Sequence, residues 1–376
     1  MISVIKSLQK YHMKKVLPSL LLAFISLSVF SQSGYTVSGK IIDAVSRLPL
    51  QGASVFAENT TLGTATNTEG VFHLQLPNGG YNLVVTFTGY QTETKRITTA
   101  DAGNNDMMIE IKQKEKSLED VVVKATYEVA DGLEKYGDFF LENFIGKTAN
   151  SKLCTIKNKD ALKFYYYRRT KRLKILATAP LEIVNDALGY TIKYDLDSFT
   201  HDYNKQISQY TGYPLFEEIQ PVNEEQKNKW NAARLLAYNG SILHFMRSLY
   251  QRKLNEEGFE IQFLITFNEK EMAVQVKNFY GGFNYAKDDS TQTVEVWPNQ
   301  SGVVVIYKNE EPEANYQAAN PDQPGKFQLS VFSFVPKESI VIEQNGYYFE
   351  QKDFTINQYL GWEKMADMLP YDFKLK

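Results

Sequence analysis

Four polar residues, Asp195, Asp197, His201 and Asp202, form the most concentrated set of side chains that could do chemistry in this chain. Hydrophobic and polar residues alternate over 192–197, which predicts a strand carrying Asp195 and Asp197 on one face, about 6–7 Å apart. Two carboxylates at such a separation could hydrolyse a glycosidic bond. Acids at alternate positions are also typical of the solvated face of an amphipathic strand, and we prefer that interpretation.

Histidine and cysteine give no further sign of an active site. His73, His201 and His244 lack the paired spacing of a metal site. His244 lies in an aromatic stretch with helical spacing, where we expect a packing role. Cys154 is the sole cysteine, so it cannot form an internal disulfide, and we interpret it as a small buried hydrophobe rather than a nucleophile. We therefore predict no catalytic residue, no metal ligand and no cofactor.

Composition narrows the class of protein. The chain has 376 residues and a formal net charge of −3. A mildly acidic protein lacks the basic footprint that phosphates require, so we expect no nucleic-acid partner. An aromatic content of 13%, with 24 Tyr and 23 Phe, favours β-rich structure, because aromatic side chains pack well on pleated surfaces.

Residues 1–31 have the features of a signal peptide. Lys14 and Lys15 precede an apolar run over 16–30 that is too short to span a bilayer comfortably. We expect cleavage after Ser31 and no membrane-spanning helix afterwards; an uncleaved anchor helix is the alternative, and Met13 is an alternative start. The expected location is the periplasm or the outer membrane.

Residues 35–113 contain short alternating strands separated by turn residues. Asn67–Gly70 is a predicted turn, because the Asn side chain can bond its own backbone and Gly70 can adopt a positive φ. The Asn-Gly pair within Pro77–Gly80 predicts a type I′ hairpin between two strands. About seven short strands in this stretch predict a Greek-key β-sandwich.

This front part resembles the carboxypeptidase regulatory-like module, a prealbumin-like sandwich. The resemblance lies in Ser38–Asp43, Leu50–Val55, the Thr-x-x-x-Gly-x-Phe turn of Thr66–Phe72, and Gly89–Tyr90. Members of that family have no peptidase site in the module, and they occur on secreted peptidases and at the front of envelope transporters of Gram-negative bacteria. The resemblance therefore implies export and an accessory docking or binding role.

Residues 114–129 are a predicted linker or edge strand. The segment Leu118–Ala125 resembles the one that joins this module to the plug of TonB-dependent transporters. Such a segment would be a coupling peptide offered to a partner by strand addition. The alternative, which we prefer, is an ordinary edge strand with acidic flanking residues.

Residues 130–376 mix two periodicities. Apolar residues recur at helical spacing over 132–146 and over 224–256, where Asn239–Ser241 is expected to break the helix and Ser241 to cap its second half. Elsewhere a period of two predicts strands. We predict a larger α+β domain with an antiparallel sheet and a helical insert, so the chain as a whole is mostly β.

The segment 205–213 is a weak strand, 272–279 is a strand, and Gly281–Gly282 is a hairpin candidate. The tail over 360–373 is predicted to be an aromatic, partly helical cap.

This second part resembles uncharacterised envelope proteins of Gram-negative bacteria that carry the same sandwich at the front. The matching residues include Phe144–Gly146, Leu188–Tyr190, Gly240–Phe245 and Trp362–Asp372. The resemblance implies a topology and no known activity.

These features favour a non-catalytic exported protein of the cell envelope whose front sandwich is an accessory docking or binding module. Its partner would be an envelope protein or a glycan. Two alternatives stay open: a secreted hydrolase of peptide or glycan with an unrecognised site, which rests on analogy of fold alone, and a carbohydrate-binding protein, in which exposed aromatic side chains would stack on sugar rings.

Overall fold

The computed structural model describes residues 34–101, 103, 107–114, 127–349 and 353–375. The predicted signal peptide and the segment Leu118–Ala125 lie outside these residues.

The first seven strands form a two-layer sandwich, as the sequence predicts. Their bounds are β1 Gly34–Asp43, β2 Ser54–Ala57, β3 Gly63–Ala65, β4 Val71–Pro77, β5 Tyr81–Thr86, β6 Glu93–Ile97 and β7 Met107–Ile111. One sheet has the order β4-β1-β7 and the other β3-β2-β5-β6. Strand β7 runs parallel to β1, and the other pairs are antiparallel. Alternate residues of both sheets face each other in one core, which includes Val37, Leu76 and Leu83. We call this part the sandwich.

Of the two turns predicted in the sandwich, one is confirmed and one is wrong. Asn67 Oδ1 accepts hydrogen bonds from Glu69 N and Val71 N, and Gly70 has a φ of +75°. Pro77–Gly80, however, joins β4 to β5 across the two sheets and is no hairpin. The hydrophobic pattern decides this, because Leu76 before the turn and Tyr81 after it are both buried in the core between the layers.

Residues 127–375 form the remaining part, which we call the body. Its helices are α1 Gly132–Phe144, α2 Glu224–Tyr238, α3 Ile242–Tyr250, α4 Phe279–Gly282, α5 Ala314–Ala319 and α6 Tyr359–Trp362. Its strands are β8 Cys154–Ile156, β9 Leu162–Tyr167, β10 Arg172–Ala177, β11 Leu181–Asn185, β12 Tyr190–Asp202, β13 Ile207–Glu218, β14 Phe259–Phe267, β15 Lys270–Gln275, β16 Ala286–Asp288, β17 Thr293–Val296, β18 Gly302–Tyr307, β19 Gln328–Phe334, β20 Ile340–Glu343 and β21 Phe354–Gln358.

The first sheet of the body is built around the long strand β12. Strand β13 pairs with β12 along its whole length, while β10 and β11 pair with different parts of its other edge. Helix α1 packs on this sheet through Phe140 and Phe144, which its helical periodicity places on one face. This packing forms the first core of the body.

A second core lies between two further sheets. A five-stranded sheet has the order β15-β14-β18-β19-β21, and a three-stranded sheet has the order β16-β17-β20. Helix α3 contributes Phe245 and Leu249 to this core. Ser241 caps α3 by accepting a hydrogen bond from His244 N at 3.2 Å, so the predicted break and cap between α2 and α3 are confirmed.

Three local predictions for the body need correction. Gly281–Gly282 lies in the short helix α4 rather than in a hairpin. The strand predicted over 272–279 ends at Gln275, because Phe279 turns into the second core as the first residue of α4. The weak strand over 205–213 is the longer β13, which its pairing with β12 extends to Glu218. Among the described residues, no helix is both long enough and apolar enough to cross a membrane.

Candidate functional site

The carboxylates predicted as a possible acid pair have separate hydrogen-bond partners. Asp195 Oδ2 accepts a hydrogen bond from the Thr92 hydroxyl of the sandwich at 2.6 Å. Asp197 Oδ2 accepts one from the Thr211 hydroxyl on β13 at 3.0 Å. A proton donor and a water-activating base would each need to reach a substrate. The structure instead gives Asp195 a place in the contact between sandwich and body.

The neighbouring His201–Asp202 pair also has a structural environment. Asp202 pairs with Arg172 on the adjacent strand at 3.1 Å. His201 is buried, its Nδ1 lies 2.9 Å from the Ser208 hydroxyl, and its ring packs edge-on against Phe139. Burial lowers the pKa of His201, so the ring is neutral at physiological pH.

His73 and His244 each have a partner on another part of the fold. His73 is exposed on β4, where its Nδ1 lies 2.7 Å from the Ser38 hydroxyl. His244 is buried on α3, and its Nδ1 accepts a hydrogen bond from Gly240 N at 3.1 Å. Burial lowers the pKa of His244, and Glu257 opposes this shift. The His244 ring therefore holds the turn between α2 and α3.

Cys154 is a poor candidate for a nucleophile in this structure. Burial raises the pKa of its thiol to about 12, with further contributions from Asp186 and Asp367. A thiol with that pKa has almost no thiolate at neutral pH, and the thiolate is the reactive form. Within the described ranges, no three His, Cys, Asp or Glu side chains come together in a way that could hold a metal ion.

The most extensive polar feature that the fold brings together is the contact between the sandwich and the body. Residues 57–62 of the sandwich, which we call the docking loop, meet the edge of β13. Asn59 N donates to Pro214 O at 2.8 Å, and Phe216 N donates to Thr60 O at 2.9 Å. These bonds form a short parallel bridge between Thr60 and Leu215. The docking loop therefore adds to the body in the manner of an extra strand.

The tail of the body meets the other side of the docking loop. Tyr371 N donates to Asn59 O at 2.8 Å. Asp372 accepts from Thr61 N at 2.9 Å and also from the Thr61 hydroxyl. Asn59 adopts a φ of +56°, a conformation that Asn tolerates better than most residues. This conformation lets one short loop bond to β13 and to the tail at the same time.

An ion pair closes the contact at a second place. Arg96 on β6 pairs with Glu343 on β20. Glu343 is 2% exposed, and its other oxygen accepts a hydrogen bond from Gly80 N at 3.0 Å. The Arg96 guanidinium also lies 3.8 Å above the centre of the Phe349 ring. Burial raises the pKa of Glu343, and the Arg96 charge opposes this shift.

Sequence reasoning missed Arg96, Glu343 and the docking loop. Arg96 lies in a polar strand, Glu93–Ile97, which has the composition of a solvated sheet edge. Its partner is 247 positions further along the chain. No local pattern connects two residues so distant, and only the packing of sandwich on body identifies them.

The sandwich also matches a known family. The family described as the CarboxypepD_reg-like domain matches residues 37–123. The front of the chain is a carboxypeptidase regulatory-like domain. The matched range extends past residue 113, where the sequence prediction ended the module. No curated protein matches this chain.

Three solved structures share limited similarity with the chain. A type II cohesin-X-dockerin complex from Acetivibrio cellulolyticus, an interface mutant, is 24% identical over 20% of this chain and 51% of that chain, with a TM-score of 0.16. A 3-chlorocatechol 1,2-dioxygenase from Rhodococcus opacus 1CP is 12% identical over 23% of this chain and 60% of that chain, with a TM-score of 0.16. A DUF3823 family protein from Parabacteroides merdae is 10% identical over 52% of this chain and 86% of that chain, with a TM-score of 0.17. TM-scores this low establish no fold, partner or activity for the chain.

The regulatory-like domain exposes apolar side chains that lie outside the docking loop. Val45 and Leu48, in the turn after β1, are 88% and 64% exposed, and Met108 on β7 is 53% exposed. Arg47 Nη2 lies 3.8 Å from Met108 Sδ, which places the turn beside β7. These three apolar side chains form what we call the free patch.

A groove of about 560 Å³ lies beside the docking loop, between α2 and the tail. Arg234 forms part of its wall, but this side chain is buried and donates to Leu188 O at 2.7 Å and Gly189 O at 3.1 Å. Its guanidinium lies 4.0 Å above the Tyr190 ring. Arg234 thus stabilises the turn between β11 and β12, and its Nη1 also pairs with Glu218 at the end of β13 at 3.4 Å.

Proposed function

We propose that this chain is a non-catalytic exported protein of the cell envelope. In this proposal the regulatory-like domain is fixed to the body through the docking loop, and its free patch binds an envelope protein. The observation that carries the proposal is the docking loop itself, which joins the two parts through main-chain hydrogen bonds in the way that binding modules add strands.

The chemistry of the polar residues supports the same proposal. Asp195 bonds to the regulatory-like domain, His244 bonds to a turn, and the pKa of Cys154 is raised by burial. Asp195 and His244 thus bond to structural partners, and Cys154 has almost no reactive thiolate at neutral pH, which supports a non-catalytic role. The free patch supports the binding part, because a cluster of exposed apolar side chains on a folded module is typical of an interaction site.

Site-specific photocrosslinking in intact cells tests the binding part. A photoreactive amino acid in place of Val45 is expected to give one discrete adduct with an envelope protein. Val222 is a matched control, because it is a valine of the body with a similar exposure of 83%. An adduct from Val45 and none from Val222 supports the proposal. Equal adducts from both positions, or none from either, would contradict it.

Two further measurements test export and the absence of catalysis. Cell fractionation with N-terminal sequencing is expected to find the chain in the envelope, beginning after Ser31; a chain that stays in the cytoplasm would contradict export. Incubation of the purified chain with labelled peptidoglycan and polysaccharides is expected to give no products. Turnover that follows the purified chain would refute the non-catalytic part.

A further inference from the structure

A second cleft of about 400 Å³ lies in the body. Helix α2 forms one wall, and segments from β19 and α6 and the loops around 148–150 and 310–313 complete it. Its lining includes five acidic residues, Glu310, Glu311, Glu313, Glu363 and Asp367. We call it the acidic cleft.

No Lys or Arg within the described ranges forms an ion pair with these acids. Among the described residues, Lys and Arg are absent from the lining of the cleft, and none of its five carboxylates forms an ion pair. The nearby Lys364 lines an adjoining cavity, to which Glu363 and Asp367 also contribute. Burial and the charges of Asp367, Glu313 and Glu310 raise the pKa of Glu363 well above its ordinary value. These shifts favour the uncharged carboxyl group of Glu363, and a bound cation would oppose them by stabilising its carboxylate.

Some buried polar atoms at the cleft also lack a hydrogen-bond partner. Gln328 is 5% exposed and lines the cleft, where its Nε2 donates to Glu310 at 3.4 Å. Its Oε1 has no hydrogen-bond partner among the described residues, and neither has Oε2 of Glu313. Buried acceptors are rarely left unpaired in folded proteins, because an unmade hydrogen bond there is costly. The two unpaired acceptors therefore indicate a ligand that donates hydrogen bonds from N–H groups.

The rest of the wall suits an organic cation. Tyr359 lines the cleft, and Tyr316 packs edge-on against it with ring centres 5.0 Å apart. Aromatic faces attract ammonium groups. A metal ion fits less well, because these acids do not converge as a metal-binding group within the described residues. An alkylammonium group supplies both the charge and up to three donors.

We propose that the acidic cleft binds an alkylammonium group through Glu313 and Glu363, with Gln328 and Tyr359 completing the site. The group could belong to a free polyamine or to a lysine side chain of a peptide. The binding site is independent of export and of the free patch, so each proposal can fail without the other.

Isothermal titration calorimetry on the purified full chain tests this site with two probes, spermidine and a trilysine peptide. We expect saturable binding of at least one probe with one site per chain. Glu363→Gln and Glu313→Gln should each weaken it by about tenfold or more, because each removes a carboxylate that would pair with the bound ammonium group. The matched control is Glu338→Gln, an exposed glutamate outside the cleft, which should bind as the unmodified chain does.

The variants themselves should fold. Glu363→Gln relieves repulsion between acids, so its melting temperature should equal or exceed that of the unmodified chain, and a loss of binding then reports on the site. Tight binding of spermidine alone identifies a free polyamine as the ligand class, and tight binding of trilysine alone identifies a peptide. Absence of saturable binding of both probes, or equal weakening by Glu338→Gln, would overturn the proposal.

Discussion

Replacement of Arg96 by alanine probes the contact between the regulatory-like domain and the body. The change leaves Glu343, 2% exposed, without its counter-charge. Loss of one partner from a buried ion pair costs about 3–5 kcal/mol. The Arg96 side chain is 31% exposed, so solvent already screens part of the interaction and we expect the lower end, about 3 kcal/mol at pH 8. About 1 kcal/mol of this comes from the lost contact with Phe349.

The cost should depend on pH in a defined direction. Burial already raises the pKa of Glu343, and removal of the Arg96 charge raises it further. When the pKa of an acid is higher in the folded than in the unfolded state, the protein loses stability as pH rises through the folded pKa. At pH 5 the variant can bury Glu343 protonated, and the cost should fall to about 1 kcal/mol, the part that belongs to the aromatic contact.

Urea unfolding at pH 5 and pH 8, together with hydrogen exchange of β5 and β6, measures these effects. Lys193→Ala is the control, because it breaks an exposed pair with Glu217 and should cost at most about 0.5 kcal/mol at either pH. A second test combines Arg96→Met with Glu343→Leu, which should recover most of the lost stability. The reasoning is refuted if Arg96→Ala costs less than about 1 kcal/mol at pH 8, or costs the same at both pH values.

Three further predictions concern single residues. Burial raises the pKa of Asp367 to about 6, so the unmodified chain should lose up to about 3 kcal/mol relative to Asp367→Asn as pH rises from 4 to 7; thermal unfolding across this range checks the sign, and a constant difference contradicts it. Gly189 has a φ of +69° and an added Cβ would lie 2.4 Å from the buried Trp230 ring, so Gly189→Ala should destabilise by about 2–4 kcal/mol. In the control Gly52→Ala, the φ is +78° and an added Cβ meets open space, so the cost should be only about 1–2 kcal/mol. If urea unfolding gives the same loss of stability for both variants, the clash with Trp230 contributes nothing. Since the pKa of Cys154 is raised to about 12, its thiol should react slowly with a disulfide reagent at pH 8 and rapidly in denaturant; fast native labelling would show that the thiol is accessible and ionised.

Local patterns in the sequence predicted most of the elements. The helical spacing of Phe140 and Phe144 gave α1, and Ser241 marked the start of α3 through its capping side chain. Such features depend on residues a few positions apart, so the sequence displays them directly. The hairpin predicted from the Asn-Gly pair at Asn78 was wrong. Turn propensity is local, whereas the sheet to which each flanking strand belongs depends on the whole core.

The candidate sites were less accessible to sequence reasoning. Glu310, Glu311 and Glu313 have the composition of a solvated loop, and nothing near them in the chain points to Glu363 and Asp367. Asp195 drew attention as a possible catalytic acid, while its observed partner is Thr92 of the regulatory-like domain. In both cases the deciding neighbour lies on a distant segment.

The sequence by itself determined the seven-stranded front module, its family and the mostly β class of the chain, because alternation, turn residues and caps act over short distances. Only the tertiary structure decided that the docking loop joins β13 and the tail, that Arg96 meets Glu343, and that five acids share one cleft. The physical reason is that burial removes water from groups that packing brings together, and this sets both their partners and their pKa values.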